Sequence, residues 1–125
     1  MISELQITET VEMTGFTDNP YPAVKNADFY ILSSRYEGFP TVLFEAVTLK
    51  KNIIATEVSG VREILENGKL GLIVENSEEG IYEGMKKALT HPESFDVYGE
   101  TLKTYSMPFT LENSVNSIVQ IIDDL

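Results

Sequence analysis

The sequence contains no cysteine and only one histidine, which narrows the chemistry open to it. Without thiols there is no disulfide and no thiol nucleophile, and a zinc cluster of cysteine and histidine ligands is excluded. The single histidine, His91, precedes Pro92 where a helical pattern ends. An interaction with the helix C-terminus is favoured there over catalysis. No metal site is predicted.

Positive charge is also scarce. Nine lysine and arginine residues stand against twenty aspartate and glutamate residues, for a net charge of −11. Such a surface repels nucleic acids and anionic lipid headgroups, so neither is expected as a partner. No apolar run approaches the roughly 20 residues of a membrane-spanning helix, and the first residues lack the pattern of a secretory signal. The sequence therefore predicts a cytoplasmic protein.

The pattern of apolar residues predicts an α/β fold. A chain of 125 residues has room for a single domain, 1–125. Short apolar segments alternate with amphipathic ones, and two of the apolar segments are continuous, as expected for parallel strands covered by helices on both faces. The predicted strands are 11–14, 29–32, 52–56 and 70–74. The predicted helices are 20–27, 40–50, 61–66, 80–90, 95–105 and 111–124.

The ends of these elements carry recognisable signals. Asp18 or Asn19 suits the cap of the first helix, Lys50 and Lys51 suit the C-terminus of the second, and a left-handed turn at 67–68 closes the third. Four strands make only part of an ordinary doubly wound sheet, and the chain opens on what resembles the end of a helix. We therefore expect a partial doubly wound parallel sheet that lacks its N-terminal half, with an exposed edge that permits self-association.

The loop after the second predicted strand is the strongest candidate for a binding site. In open parallel sheets, ligands bind beyond the carboxyl ends of the strands, which is where residues 33–41 lie. Gly38 lets the backbone approach a ligand closely, and Pro40 fixes the first turn of the next helix. The N-terminus of that helix presents unpaired N–H groups and a positive dipole end, which suit phosphate or sugar hydroxyls.

Two glutamates converge on this loop. Helix 40–50 is apolar almost all round, so we expect it to be largely buried, with Thr41 and Glu45 on its narrow polar seam. Because helical side chains lean toward the N-terminus, Glu45 points toward Glu37 in the loop. With Thr41 as N-cap, a capping glutamate would occupy position 44, so Glu45 is not that residue. Glu37 and Glu45 are therefore predicted as a functional pair.

Other residues near this edge have two interpretations each. Ser33 and Ser34 either terminate the strand or contact a ligand. Arg35 either pairs with a surface carboxylate or binds phosphate. Gly60 either shapes the start of the third helix or contacts a ligand.

Residues 19–74 resemble the donor-binding domain of retaining, GT-B-fold glycosyltransferases of the glycosyltransferase family 4 type. The spacing of Glu37 and Glu45, with seven residues between them, is that family's signature. The resemblance implies a Rossmann-like sheet, the C-terminal part of a donor domain. The segments that carry it are Asn26-Ala27-Asp28, Ser34-Arg35-Tyr36-Glu37-Gly38-Phe39-Pro40, Glu45-Ala46, Ile53-Ile54-Ala55-Thr56, Ser59-Gly60-Val61-Arg62-Glu63-Ile64, Asn67-Gly68 and Gly71-Leu72-Ile73-Val74.

The resemblance implies a role for each site residue. Glu37 is the implied catalytic residue and binds hydroxyls of the donor sugar, and Glu45 binds the ribose. Gly15 and Phe16, which follow the first predicted strand, face the nucleobase. The loop residues implied to bind the sugar and diphosphate are Gly38, Phe39, Pro40, Thr41 and Val42.

The implied reaction is transfer of a glycosyl unit from a nucleotide-sugar to an acceptor hydroxyl with retention, in polysaccharide or glycolipid biosynthesis. No cofactor or metal is required, because fixed dipoles and cations stabilise the departing diphosphate. The acceptor domain and the cationic early strands are absent, so we expect weak donor binding and no catalysis by this chain alone. The whole enzyme is expected in the cytoplasm or peripheral at the membrane. The alternative is a non-catalytic sugar-nucleotide-binding or protein-interaction module.

Overall fold

A computed structural model describes residues 2–108, and its centre is a parallel sheet of three strands in the order β1-β2-β3. Ile31 of β1 lies opposite Ile54 of β2, which in turn lies opposite Leu72 of β3. The first two strands have the predicted bounds, and the third begins two residues later than predicted. The strands are Phe29–Leu32 (β1), Asn52–Thr56 (β2) and Leu72–Val74 (β3).

Helices connect and flank the strands. The α-helices of the described residues are Tyr21–Asn26 (α1), Val42–Thr48 (α2), Val61–Ile64 (α3), Glu78–Thr90 (α4) and Asp96–Thr104 (α5). The 3-10 helices are Glu66–Gly68 and Pro92–Phe95. Five predicted helices are confirmed with ends shifted by at most two residues, and the predicted helix 111–124 lies outside the described residues. No helix in the described part of the chain is long and apolar enough to cross a membrane.

Helices cover both faces of β2. Ile53 and Ala55 belong to a buried cluster that α2, α3 and α5 complete, whereas Ile54 belongs to a second cluster with Ala88 of α4 and Phe95. Because side chains alternate between the faces of a strand, the two clusters lie on opposite sides of the sheet. The predicted α/β fold, a partial doubly wound parallel sheet, is confirmed.

Two predictions about strands are wrong. Residues 11–14 form no strand, and the exposed fractions of Val11 and Met13 are 41% and 81%. A strand needs a hydrogen-bonded neighbour, and no strand within 2–108 pairs with this segment. Helices also fail to cover both faces of β1, which lies at an edge of the sheet and leaves Ile31 38% exposed.

Lys50 and Lys51, which follow α2, attach two other helices to it. The ammonium group of Lys50 donates a hydrogen bond of 2.5 Å to the carbonyl of Leu102, near the end of α5. That of Lys51 donates to the carbonyls of Lys25 at 2.6 Å and Ala27 at 3.1 Å, at the end of α1. The last carbonyls of a helix have no intrahelical partner, and these lysines supply one. They act on neighbouring helices rather than on their own.

α4 begins at a tightly packed turn. The hydroxyl of Ser77, its N-cap, accepts a hydrogen bond of 3.0 Å from the N–H of Gly80. A Cβ at Gly80 would clash with the backbone carbonyl of Glu75. Farther along, a Cβ at Gly84 would lie 3.0 Å from Cγ2 of Ile54, so α4 approaches the sheet closely. Glycine is therefore required at position 80 for space.

We expect Gly80→Ala to lower the free energy of unfolding by about 1–3 kcal/mol, because the new methyl group meets backbone that cannot move aside. The matched control is Gly99→Ala in α5, where a Cβ meets nothing within 4 Å. That change should raise stability by about 0.5–1 kcal/mol through helix propensity. Urea unfolding of both variants measures the difference, and effects of equal sign would contradict the packing described for α4.

Candidate functional site

The loop after β1, residues 33–41, is held from the ends of the other two strands. Thr56, the last residue of β2, is 2% exposed, and its hydroxyl donates to the carbonyl of Ser34 at 2.6 Å. From beyond β3, the side-chain amide of Asn76 donates to the carbonyl of Arg35 at 2.9 Å. Two successive loop carbonyls are thereby satisfied by side chains, which fixes the loop on the carboxyl edge of the sheet.

Glu37 and Glu45 both act electrostatically on Tyr30 of β1, which is partly buried. Oε1 of Glu37 accepts a hydrogen bond of 2.6 Å from the hydroxyl of Ser34. The pKa of Tyr30 is raised, first because the phenol is buried and then because the charges of Glu45 and Glu37 disfavour the phenolate. The charges of both carboxylates therefore act on one phenol, and the orientation of Glu45 toward Glu37 stays a prediction.

α2 is buried on one face only. Its buried residues are Leu43, Ala46 and Val47, whereas Val42 is 39% exposed and Glu45 is partly exposed. The expectation that this helix is buried almost all round is therefore wrong. The helix covers one face of the sheet, and no other described element covers its outer side. This leaves the seam that carries Glu45 accessible.

The backbone donors at the start of α2 are available only in part. The N–H of Thr41 donates to the carbonyl of Phe39 at 2.9 Å in a tight turn. Within residues 2–108, the N–H groups of Gly38, Phe39 and Val42 have no hydrogen-bond partner. Pro40 is buried and has no N–H. Three of the five predicted loop residues can therefore offer a backbone donor to a ligand.

Gly60 lies against this loop. Its φ of 81° is in the left-handed region that favours glycine. A Cβ here would lie 2.5 Å from Cδ2 of Phe39 and 3.1 Å from Cδ of Pro40. The ring of Phe39 also packs on that of Phe44, with centroids 5.7 Å apart. The structure supports the structural interpretation of Gly60, which starts α3 and makes room for the loop.

A cavity of about 580 Å³ opens at the carboxyl edge of the sheet, between the loop and the start of α4. Two of its lining residues, Arg35 and Glu78, form an ion pair of 2.8 Å with both side chains exposed. Arg35 is thus a surface ion-pairing residue, and such pairs contribute little to stability. Neither Glu37 nor Glu45 lines the cavity, so the carboxylates and the cavity are separate features of one loop.

Gly15 and Phe16 are not brought into contact with the carboxylates. Residues 11–14 form no strand, and no hydrogen bond within residues 2–108 joins Gly15 or Phe16 to the edge of the sheet. Phe16 is 92% exposed, and a Cβ at Gly15, whose φ is 67°, would meet nothing within 4 Å. Their contact with a nucleobase remains a prediction.

Three residues of the site were missed from sequence alone, although each carried a signal. Thr56 is a hydroxyl residue that ends an apolar strand, and Tyr30 places a phenol within one. Asn76 follows β3 at the edge where ligands of parallel sheets bind. In the part of the chain that the structure describes, no group of three or more histidine, aspartate or glutamate side chains is placed to hold a metal ion.

The parallel sheet and the helices on its faces define an α/β domain of the doubly wound type. Residues 1–104 match the family described as glycosyl transferases group 1. The chain therefore belongs to this family of glycosyltransferases.

Three relatives show which glycosyltransferases the chain is similar to. The N-acetylgalactosamine-N,N'-diacetylbacillosaminyl-diphospho-undecaprenol 4-alpha-N-acetylgalactosaminyltransferase of Campylobacter jejuni is 32% identical, over 87% of this chain and 30% of the enzyme. An uncharacterized glycosyltransferase of Methanocaldococcus jannaschii is 30% identical, over 82% of this chain and 29% of the relative. The poly(glycerol-phosphate) alpha-glucosyltransferase of Bacillus subtilis is 27% identical, over 98% of this chain and 19% of the enzyme. The chain thus spans less than a third of each relative.

We expect Thr56→Val to loosen the loop, because it keeps the side-chain shape but leaves the carbonyl of Ser34 without its donor. The free energy of unfolding should fall by about 1–3 kcal/mol. Amide hydrogen exchange should accelerate at residues 34–38. Thr56→Ser, which keeps the hydroxyl, is the control and should protect these amides better. Equal loop exchange in the two variants would show that the hydroxyl does not hold the loop.

The pKa of Tyr30 should fall toward its ordinary value in Glu45→Gln and, to a smaller extent, in Glu37→Gln, because each change removes a negative charge that disfavours the phenolate. Titration of the tyrosine Cζ resonances by ¹³C NMR measures this. Glu79→Gln, on the exposed start of α4, is the control and should leave the pKa of Tyr30 unchanged. No response in either site variant would place the carboxylates away from the phenol.

Proposed function

We propose that this chain is the donor-binding part of a retaining, GT-B-fold glycosyltransferase that builds polysaccharide or glycolipid. The observation that carries the proposal is that Glu37 lies in the loop at the carboxyl edge of the sheet and Glu45 in the first turn of the helix that follows, in a chain of the group 1 family. The ligand is a nucleotide-sugar, and its glycosyl unit passes to an acceptor hydroxyl.

The geometry supports a division of roles between the two carboxylates. The hydroxyl of Ser34 holds Oε1 of Glu37, and we assign this carboxylate to hydroxyls of the donor sugar. Glu45 lies one turn into α2 and is partly exposed, so it can accept hydrogen bonds from the ribose. The N–H groups of Gly38, Phe39 and Val42 supply donors to the sugar and diphosphate. Such fixed donors stabilise charge that develops on a leaving group.

The names of the relatives support retention of configuration. Those from Campylobacter jejuni and Bacillus subtilis are both described as alpha-transferases. These names give the linkage of the product, and retention follows for a donor that is itself α-linked. Neither Glu37 nor Glu45 acts as a nucleophile in this proposal, which differs from the two-carboxylate mechanism of glycoside hydrolases. The anomeric configuration of the product, read by NMR from a reaction of the whole enzyme, tests retention.

The proposal assigns the remaining functions to the rest of the enzyme. We assign the cations that meet the diphosphate, and the domain that binds the acceptor, to parts of the enzyme outside this chain. Donor binding then needs no metal, and this chain alone binds weakly and does not catalyse transfer. The open edge of β1 is the proposed place for pairing with further strands or with a second copy.

The test is an amide NMR titration of the chain with UDP-, GDP- and ADP-sugars. We expect saturable shifts at residues 37–42 that favour one nucleotide. Glu37→Ala and Glu45→Ala should each weaken binding about ten- to a hundredfold, because each removes charge-assisted hydrogen bonds of about 1.5–3 kcal/mol. Glu79→Ala should bind as the parent chain does.

The failure of this titration has a definite meaning. No response to any nucleotide-sugar would refute donor binding by this chain and favour a protein-interaction module. Binding that survives both glutamate substitutions would place the donor elsewhere on the domain.

A further inference from the structure

The cavity beside the loop is a feature that the proposed donor site does not use. Its volume of about 580 Å³ falls in the range of about 300–1,000 Å³ typical of small-molecule sites. Ser33 follows β1, Thr56 ends β2 and Ser77 precedes α4, and all three line it. The cavity therefore lies at the carboxyl ends of parallel strands, where ligands of such sheets bind.

Hydrogen bonds hold part of the walls of this cavity before any ligand arrives. The hydroxyl of Thr56 and the amide of Asn76 bind two successive loop carbonyls at 2.6 and 2.9 Å. Opposite the loop, the hydroxyl of Ser77 is held by the N–H of Gly80 at 3.0 Å. A site whose walls are already ordered loses little conformational freedom when a ligand binds.

The charges that line the cavity favour a neutral ligand. Arg35 is the only lysine or arginine among its described lining residues, and Glu78 neutralises it at 2.8 Å. At the start of α4, the hydroxyl of Ser77 already accepts from the N–H of Gly80, and the charges of Glu78 and Glu79 in the first turn disfavour an anion. A phosphate would therefore meet no uncompensated positive charge.

The polar and apolar groups of the lining match a sugar ring. The hydroxyls of Ser33 and Tyr36 and the side-chain oxygen of Asn76 make no hydrogen bond within residues 2–108, so they can bind ligand hydroxyls. Tyr36 is 93% exposed and Ile81 lies at the same cavity, which adds apolar surface. A pyranose has apolar C–H faces and a rim of hydroxyls, and an aromatic ring with amphipathic character suits both.

We propose that this cavity binds one neutral sugar unit, distinct from the unit that the donor carries to Glu37. Tyr36 and Glu37 are adjacent in the chain, yet Tyr36 lines the cavity and Glu37 does not. One loop thus presents two carbohydrate surfaces. The ligand is either a free sugar or one unit of a glycan chain, since both offer the same ring and hydroxyls.

The test is an amide NMR titration with the methyl α-glycosides of glucose, galactose, mannose, N-acetylglucosamine and N-acetylgalactosamine, and with disaccharides of the same sugars. We expect saturable shifts at Ser33, Tyr36, Asn76 and Ile81 with at least one sugar. Tyr36→Ala should weaken binding about three- to tenfold, and Tyr36→Phe should keep most of it. Tyr82→Ala is the control, because Tyr82 is 57% exposed on α4 but does not line the cavity.

Each outcome decides the proposal. Tighter binding of a disaccharide supports a glycan unit, and equal binding supports a free sugar. The proposal is overturned by the absence of shifts with every sugar, by shifts that Tyr36→Ala leaves unchanged, or by inorganic phosphate that saturates the same amides. A chain that binds the glycosides but ignores nucleotide-sugars refutes the donor site and leaves this one in place.

Discussion

β2 has no exposed face beyond its first residue: Ile53 and Ala55 are buried against α2, α3 and α5, and Ile54 is buried against α4. Because β2 is parallel to both neighbours, crossovers must join the strands. These crossovers bring every strand-to-helix loop to the same edge of the sheet. The loop after β1, the end of β2 and the start of α4 therefore meet. The loop that carries Glu37 and the cavity beside it both lie at this edge, where these segments meet.

The irregular segments depend on a different interaction, hydrogen bonds from side chains to backbone carbonyls. Thr56 and Asn76 bind the loop from neighbouring strands, and Lys50 and Lys51 bind the ends of distant helices. A chain with a net charge of −11 uses several of its few cations inside its own structure. Arg35 is likewise committed to an ion pair. This leaves little positive charge for an anionic ligand, which is why the donor site is proposed to need cations from elsewhere.

Sequence reasoning succeeded where the deciding information was local. The apolar runs of β1 and β2 predicted their bounds, and apolar periodicity predicted the helices between them to within two residues. It failed where the outcome depended on distant partners. Residues 11–14 have the composition of a strand but no strand beside them, and Asn76 reaches a carbonyl 41 positions away in the chain. A backbone carbonyl can accept a hydrogen bond whatever its side chain is. The type of the accepting residue therefore does not predict these contacts.

α1 is held to the domain by hydrogen bonds from a lysine side chain to backbone carbonyls, and this affects which substitutions the helix tolerates. None of its residues is buried, and Lys51 binds it through the carbonyls of Lys25 and Ala27. Every residue type carries a backbone carbonyl, so these hydrogen bonds do not depend on which side chains α1 carries. Natural variation can therefore accumulate on the outer surface of α1 while the helix stays docked. Homologues can diverge there in sequence, and acquire different surface properties, without a change in the sheet beneath.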